Sequence, residues 1–75
     1  MGIREIFAAN LRRLRLGRKL SQEELAYEAQ IDRTYVSALE RCLYSASLDT
    51  IENLAKALGV EPYELLIRKS TATRR

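Results

Sequence analysis

Apolar residues in this chain recur at three- and four-residue steps, a rhythm that suits a helix and not a strand. Ile3, Phe7, Leu11 and Leu14 make one such stripe; Leu48, Ile51, Leu54–Ala55 and Leu58 make another. On a helix these steps stack side chains on one face, whereas on a strand they would scatter over both. β-branched residues are few and no two-residue alternation is clean, so the chain reads as all-α.

Punctuation between the stripes predicts five helices. The first runs from about Ile3 to Arg18, with Gly17 weakening its last turn. The second begins after Ser21, where SQEE forms a capping box, and ends near Ala29 or Gln30 with Leu25, Ala26 and Ala29 inward. Asp32 is a good N-cap for the third. Ser47 caps the fourth, with Asp49 and Glu52 in the turns where the helix dipole favours acids. Gly59 is placed to stop it in a left-handed turn. Pro62 fits the first position of the fifth, which carries Leu65, Leu66 and Ile67. The gap between helices two and three is only about three residues, the tight turn of a helix-turn-helix. Residues 1–67 are expected to form one domain, followed by a basic, flexible tail over 68–75.

Seventy-five residues leave room for one small core, which often needs an added stabilising device. Cys42 is the single cysteine and there is no histidine, so an intrachain disulfide is impossible and a conventional zinc site lacks ligands. Cys42 reads as a small filler residue. Oligomerisation remains open. No apolar run approaches a membrane span, and the MGIREI start lacks a secretory core segment. It also lacks the hydroxyl residue a myristoylation signal needs at position 6, where Ile6 stands. A cytoplasmic, soluble protein is expected, with no cofactor.

The net charge of +3 is unevenly spread. Residues 1–20 carry +5, residues 21–32 carry −4, residues 42–67 carry −3, and the tail from Arg68 carries +4. Opposed blocks favour an oriented polar surface, although solvated helix faces produce similar patterns.

The segment DRTYVSALER, residues 32–41, has more polar chemistry than packing requires. On a wheel of about 100° per residue from Arg33, Val36 and Leu39 centre near 270°. Thr34, Ser37, Ala38 and Arg41 centre near 90° on the same wheel, with Arg33 at their edge and Tyr35 on the other flank. Such groups suit a DNA major groove. Arg grips the guanine edge with two bonds, Ser and Thr serve several bases, and Ala or the Thr methyl touches thymine. The helix N-terminus favours phosphate. Glu40 falls toward the buried side, where a carboxylate wants a partner, and Arg15 or Arg12 of the first helix is the natural one.

The run SQEELAYEAQIDRTYVSALER, with LRRLR before it and SLDTIENLAKALGVEPYELL after it, resembles the Cro/repressor type of helix-turn-helix protein, the XRE family. The resemblance covers roughly residues 5 to 67. It implies a compact five-helix, lambda-repressor-like DNA-binding domain. DRTYVSALER also resembles the controller proteins of restriction–modification systems, which are small dimeric regulators. The resemblance implies base contacts from Arg33, Thr34, Ser37 and Ala38, and backbone contacts from Gln22, which also braces the recognition helix, Tyr35 and Arg41. It implies an internal ion pair between Arg15 and Glu40, and a dimer interface on the fifth helix. Two departures stand out. Gln30 occupies a turn position where many relatives have Gly, and CLYSAS replaces a glycine, basic residues and Asn-Pro after Arg41. Leu43 and Tyr44 are expected to pack inward or to serve a dimer contact.

These readings imply a transcriptional regulator, repressor or activator, that binds operator or promoter DNA as a homodimer on a near-palindromic site. RNA polymerase is a further candidate partner. The competing reading is an interaction protein, an antitoxin or antiactivator, motivated by Leu43–Tyr44 and the acidic second half. No metal cluster, phosphate loop or nucleophile–base pair is readable, so no catalytic residue is assigned and an enzyme is not expected.

Overall fold

The computed structural model describes residues 2–68. They form four α-helices: α1 (Ile3–Gly17), α2 (Gln22–Ala29), α3 (Arg33–Glu40) and α4 (Leu48–Leu58). A 3-10 turn, Pro62–Leu65, follows. The basic tail expected from residue 68 onward lies, Arg68 apart, outside the described residues.

Side-chain chemistry sets the helix starts. The Ser21 hydroxyl accepts from the Glu24 N–H at 2.9 Å, and the Glu24 carboxylate accepts from the Ser21 N–H at 2.8 Å. Ser47 accepts from the Thr50 N–H at 3.0 Å. The Glu5 carboxylate does part of this for α1, accepting from the Gly2 N–H at 2.8 Å. Each contact satisfies an N–H that the helix itself leaves unpaired. Asp32 differs from expectation: it holds the N-cap position of α3, but its side chain makes no capping bond.

One backbone device stops all four helices. Lys19, Gln30, Cys42 and Gly59 have φ values of 59°, 62°, 62° and 72°. After each, the next N–H reaches back five residues: Leu20 to Arg15, Ile31 to Ala26, Leu43 to Ala38 and Val60 to Ala55, at 2.9–3.1 Å. These are Schellman-type ends, which prefer glycine because a Cβ crowds the left-handed conformation. Only Gly59 meets that preference, and it has a second reason to. A Cβ there would lie 2.9 Å from Arg18 Nη1, which donates to the Leu58 carbonyl at 2.6 Å.

The fifth helix is a correction. Pro62 opens it as expected, but it is a single 3-10 turn of four residues. The cause lies in α1. Asn10 is buried, and its amide donates to the carbonyls of Leu65 at 3.0 Å and Ile67 at 2.8 Å. Asn10 thereby satisfies carbonyls that lie free where the turn ends.

The core joins every element. Phe7 and Leu11 of α1, Leu25 and Ala29 of α2, Val36 and Leu39 of α3, Leu54 and Leu58 of α4, and Leu65 of the 3-10 turn pack into one cluster. α2 packs on α3 and α4, while α1 packs on α3 and the 3-10 turn. A fully buried leucine contributes about 1.5–3 kcal/mol relative to exposure, so the six leucines at or near zero exposure dominate this small core. No helix among the described residues is long and apolar enough to cross a membrane.

Candidate nucleic-acid interface

α3 lies between two neighbours, α1 and α2, and that placement decides which of its side chains remain open. Val36 and Leu39 are buried as expected, but so is Ala38, at 3 % exposure. Ala38 is therefore corrected from a groove-facing position to a packed one. The buried arc runs from Ala38 through Tyr35, Leu39 and Val36 to Glu40, about 200° of the wheel, because two helices cover it rather than one. The open arc is narrower: Arg33, Ser37, Arg41 and Thr34.

Gln22, at the first position of α2, joins three of them. Gln22, Arg33, Thr34 and Ser37 line an open concavity of about 270 Å3 between the N-terminal ends of α2 and α3. It presents one guanidinium, two hydroxyls and one amide. The N–H groups of α3's first turn receive no side-chain cap from Asp32, which leaves a partly positive helix end beside the arginine. The combination suits an anionic, hydrogen-bonding partner such as a nucleic-acid backbone and its base edges.

The other two expected contacts lie apart from this concavity. Arg41 is exposed at the C-cap of α3. Tyr35 is half-buried; its hydroxyl donates to the Ser45 carbonyl at 3.3 Å, and its ring lies 6.3 Å from that of Tyr44, tilted by 53°. Tyr35 thus supports the 42–46 segment.

Beneath the concavity, Arg15 and Glu40 form a two-point ion pair. Arg15 Nε donates to Glu40 Oε2 at 2.6 Å and Nη2 to Oε1 at 3.0 Å, with side-chain exposures of 8 % and 3 %. The third corner of the guanidinium donates to the Leu20 carbonyl at 2.8 Å. Gln22 Nε2 donates to Glu40 Oε1 at 3.0 Å. The spacing of apolar residues carries no trace of this last link, because it crosses from α2 to the far end of α3. Among the described residues, no cluster of His, Cys, Asp and Glu converges as a metal site requires.

A second concavity, apolar and about 350 Å3, is lined by Ile3, Phe7, Tyr44, Ala46, Ile51 and Leu66 with Arg4 and Ser45. Ile3, Tyr44 and Leu66 are exposed around it.

Known proteins resemble this chain in sequence and in fold. A helix-turn-helix family model matches residues 11–65. The control protein C.BamHI of Bacillus amyloliquefaciens is 48% identical over 65 residues, which span 85% of this chain and 80% of that protein. The crystal structure of the restriction-modification controller protein C.AhdI from Aeromonas hydrophila matches with a TM-score of 0.81 and 45% identity, covering 83% of this chain and 94% of that one. The controller protein C.Esp1396I, solved as a tetramer in complex with its natural 35 base-pair operator, matches with a TM-score of 0.80 and 29% identity, over 88% of this chain and 91% of that one. With most of its length matched in sequence and in fold, the chain belongs to the XRE-type helix-turn-helix family, alongside the controller proteins of restriction–modification systems.

Proposed function

We propose that this chain is a sequence-specific DNA-binding transcriptional regulator that acts as a homodimer on a near-palindromic operator. The observation that carries this reading is the concavity where Gln22, Arg33, Thr34 and Ser37 meet at the open end of α3. α3 enters the major groove by its N-terminal half, Arg33 and one or both hydroxyls of Thr34 and Ser37 read base edges, and Gln22 and Arg41 hold phosphates. Tyr35 acts through the 42–46 segment that it supports. The operator complex of C.Esp1396I, a relative at 29% identity, supports operator binding here.

The two segments expected to compete as a dimer surface border a single face. Tyr44 and Ala46 of the 42–46 loop and Leu66 of the C-terminal turn line the same apolar concavity. The homodimer forms through that face, and paired α3 helices then address half-sites about one helical turn apart. The domain spans residues 1–67, works in the cytoplasm and does no catalysis; contact with RNA polymerase would determine whether it activates. The apolar face also motivates the second reading, a protein partner in place of a second copy.

Footprinting and anisotropy titration on the DNA upstream of its own gene test the proposal. The expected result is a protected inverted repeat with affinity that falls steeply with salt. Arg33→Ala is expected to cost about 1–3 kcal/mol and to relax specificity at one base pair. A clean monomer that captures a protein and ignores this DNA would establish the second reading instead.

A further inference from the structure

Glu40 has so far served only to brace the fold, yet its carboxylate has three donors and they come from two other elements. Arg15 of α1 holds both oxygens, at 2.6 and 3.0 Å, and Gln22 of α2 donates to Oε1 at 3.0 Å. A carboxylate gripped at two points by a guanidinium cannot turn without losing both bonds. The guanidinium is itself anchored to the Leu20 carbonyl at 2.8 Å. Gln22 therefore hangs from a fixed acceptor, while the same side chain lines the concavity with Arg33, Thr34 and Ser37.

The chemistry also sets which way the amide faces. A glutamine amide offers two N–H donors and one carbonyl, and an ionised carboxylate only accepts. The nitrogen end must face Glu40. One N–H and the carbonyl oxygen remain for the concavity.

We propose that Glu40 is a positioning residue for DNA recognition. Lying beneath the reading surface, it pre-sets the Gln22 amide so that the phosphate contact need not order that side chain on binding. The inference rests on the DNA-binding reading and adds to it a buried residue that touches no DNA.

The test is a cycle of Gln22→Ala, Glu40→Gln and the double variant, read as operator affinity at fixed salt, with the folded fraction measured by circular dichroism at the same temperature. Glu40→Gln leaves one acceptor oxygen, for which the Arg15 fork outcompetes Gln22. Each single change should weaken binding about threefold to tenfold, and the double should bind no more weakly than either. Losses that multiply in the double variant, or wild-type affinity in Glu40→Gln, overturn the proposal. If Glu40→Gln does not fold, the cycle is run with the paired Arg15→Met, Glu40→Met protein, which leaves neither charge alone.

Relaxation of the side-chain amides in the DNA-free wild-type protein provides an independent readout. The Gln22 amide should be nearly as rigid as backbone, with an order parameter of about 0.8, and the exposed Gln30 amide should fall below about 0.6. Equal mobility at Gln22 and Gln30 overturns the positioning role. A wild-type protein that binds no operator overturns the functional reading itself, whatever the amide does.

Discussion

The two concavities are of similar size and opposite character. The one at α2 and α3 is polar, about 270 Å3, and rests on a buried ion pair; the one at α1, the 42–46 loop and the C-terminal turn is apolar, about 350 Å3, and rests on hydrocarbon. Open polar groups are satisfied by water until a ligand arrives, so the first face is stable uncovered. Open hydrocarbon lowers its free energy by being covered, so the second face favours a permanent neighbour. In the reading proposed above, one molecule thus separates transient recognition from lasting assembly.

The largest expected effect strikes beneath the polar face. Arg15→Ala leaves the Glu40 carboxylate buried and unpaired and should cost about 3–5 kcal/mol in urea unfolding. A loss under 1 kcal/mol would mean that water already reaches Glu40 and that the polar face needs no buried support. The apolar face should respond in the opposite sense. Leu66→Glu is expected to leave the thermal midpoint of the monomer within a few degrees, since exposed substitutions rarely exceed about 0.5 kcal/mol. It should nonetheless shift the particle in light scattering from dimer to monomer and weaken operator binding. A dimer that persists in Leu66→Glu would remove the apolar concavity from the assembly.

The smallest effect concerns neither face. Gln30→Gly relieves a left-handed strain of roughly 1–2 kcal/mol but loosens the unfolded chain by about 0.4–1 kcal/mol. A net gain of about 0.5–1 kcal/mol by denaturant titration is expected, without change in DNA affinity. A change in affinity would tie the α2–α3 turn to recognition directly.

Gln30 also marks the limit of what the sequence discloses. Helix starts were legible because Ser21, Glu24 and Ser47 bond within four residues of themselves, so their chemistry is local. Gly59 and Pro62 were legible for the same reason. The end of the first helix near Arg18 was legible as well, beside Gly17, but the left-handed turns at Lys19 and Cys42 were not, because neither residue is glycine. The polar face was largely legible in Arg33, Thr34 and Ser37, which simply point away from Val36 and Leu39. Ala38 was misplaced because a wheel shows one buried centre and cannot show that α1 and α2 both press on α3. The 3-10 turn was taken for a helix because Asn10 acts on it across the whole chain.

That reach has a consequence in time. Asn10 and Leu65 stand 55 positions apart, so their bond closes nearly the whole described chain into a loop. Closure over such a length is slow and entropically opposed, and it gains nothing until residues 65–67 are present. Docking of the C-terminal turn should therefore come late in folding. Asn10→Ala should speed unfolding while barely slowing folding, a φ-value near zero. A nascent chain can shape α2 and α3 first and complete its apolar face last; in the homodimer proposed above, copies still in synthesis would then be poor partners for finished ones.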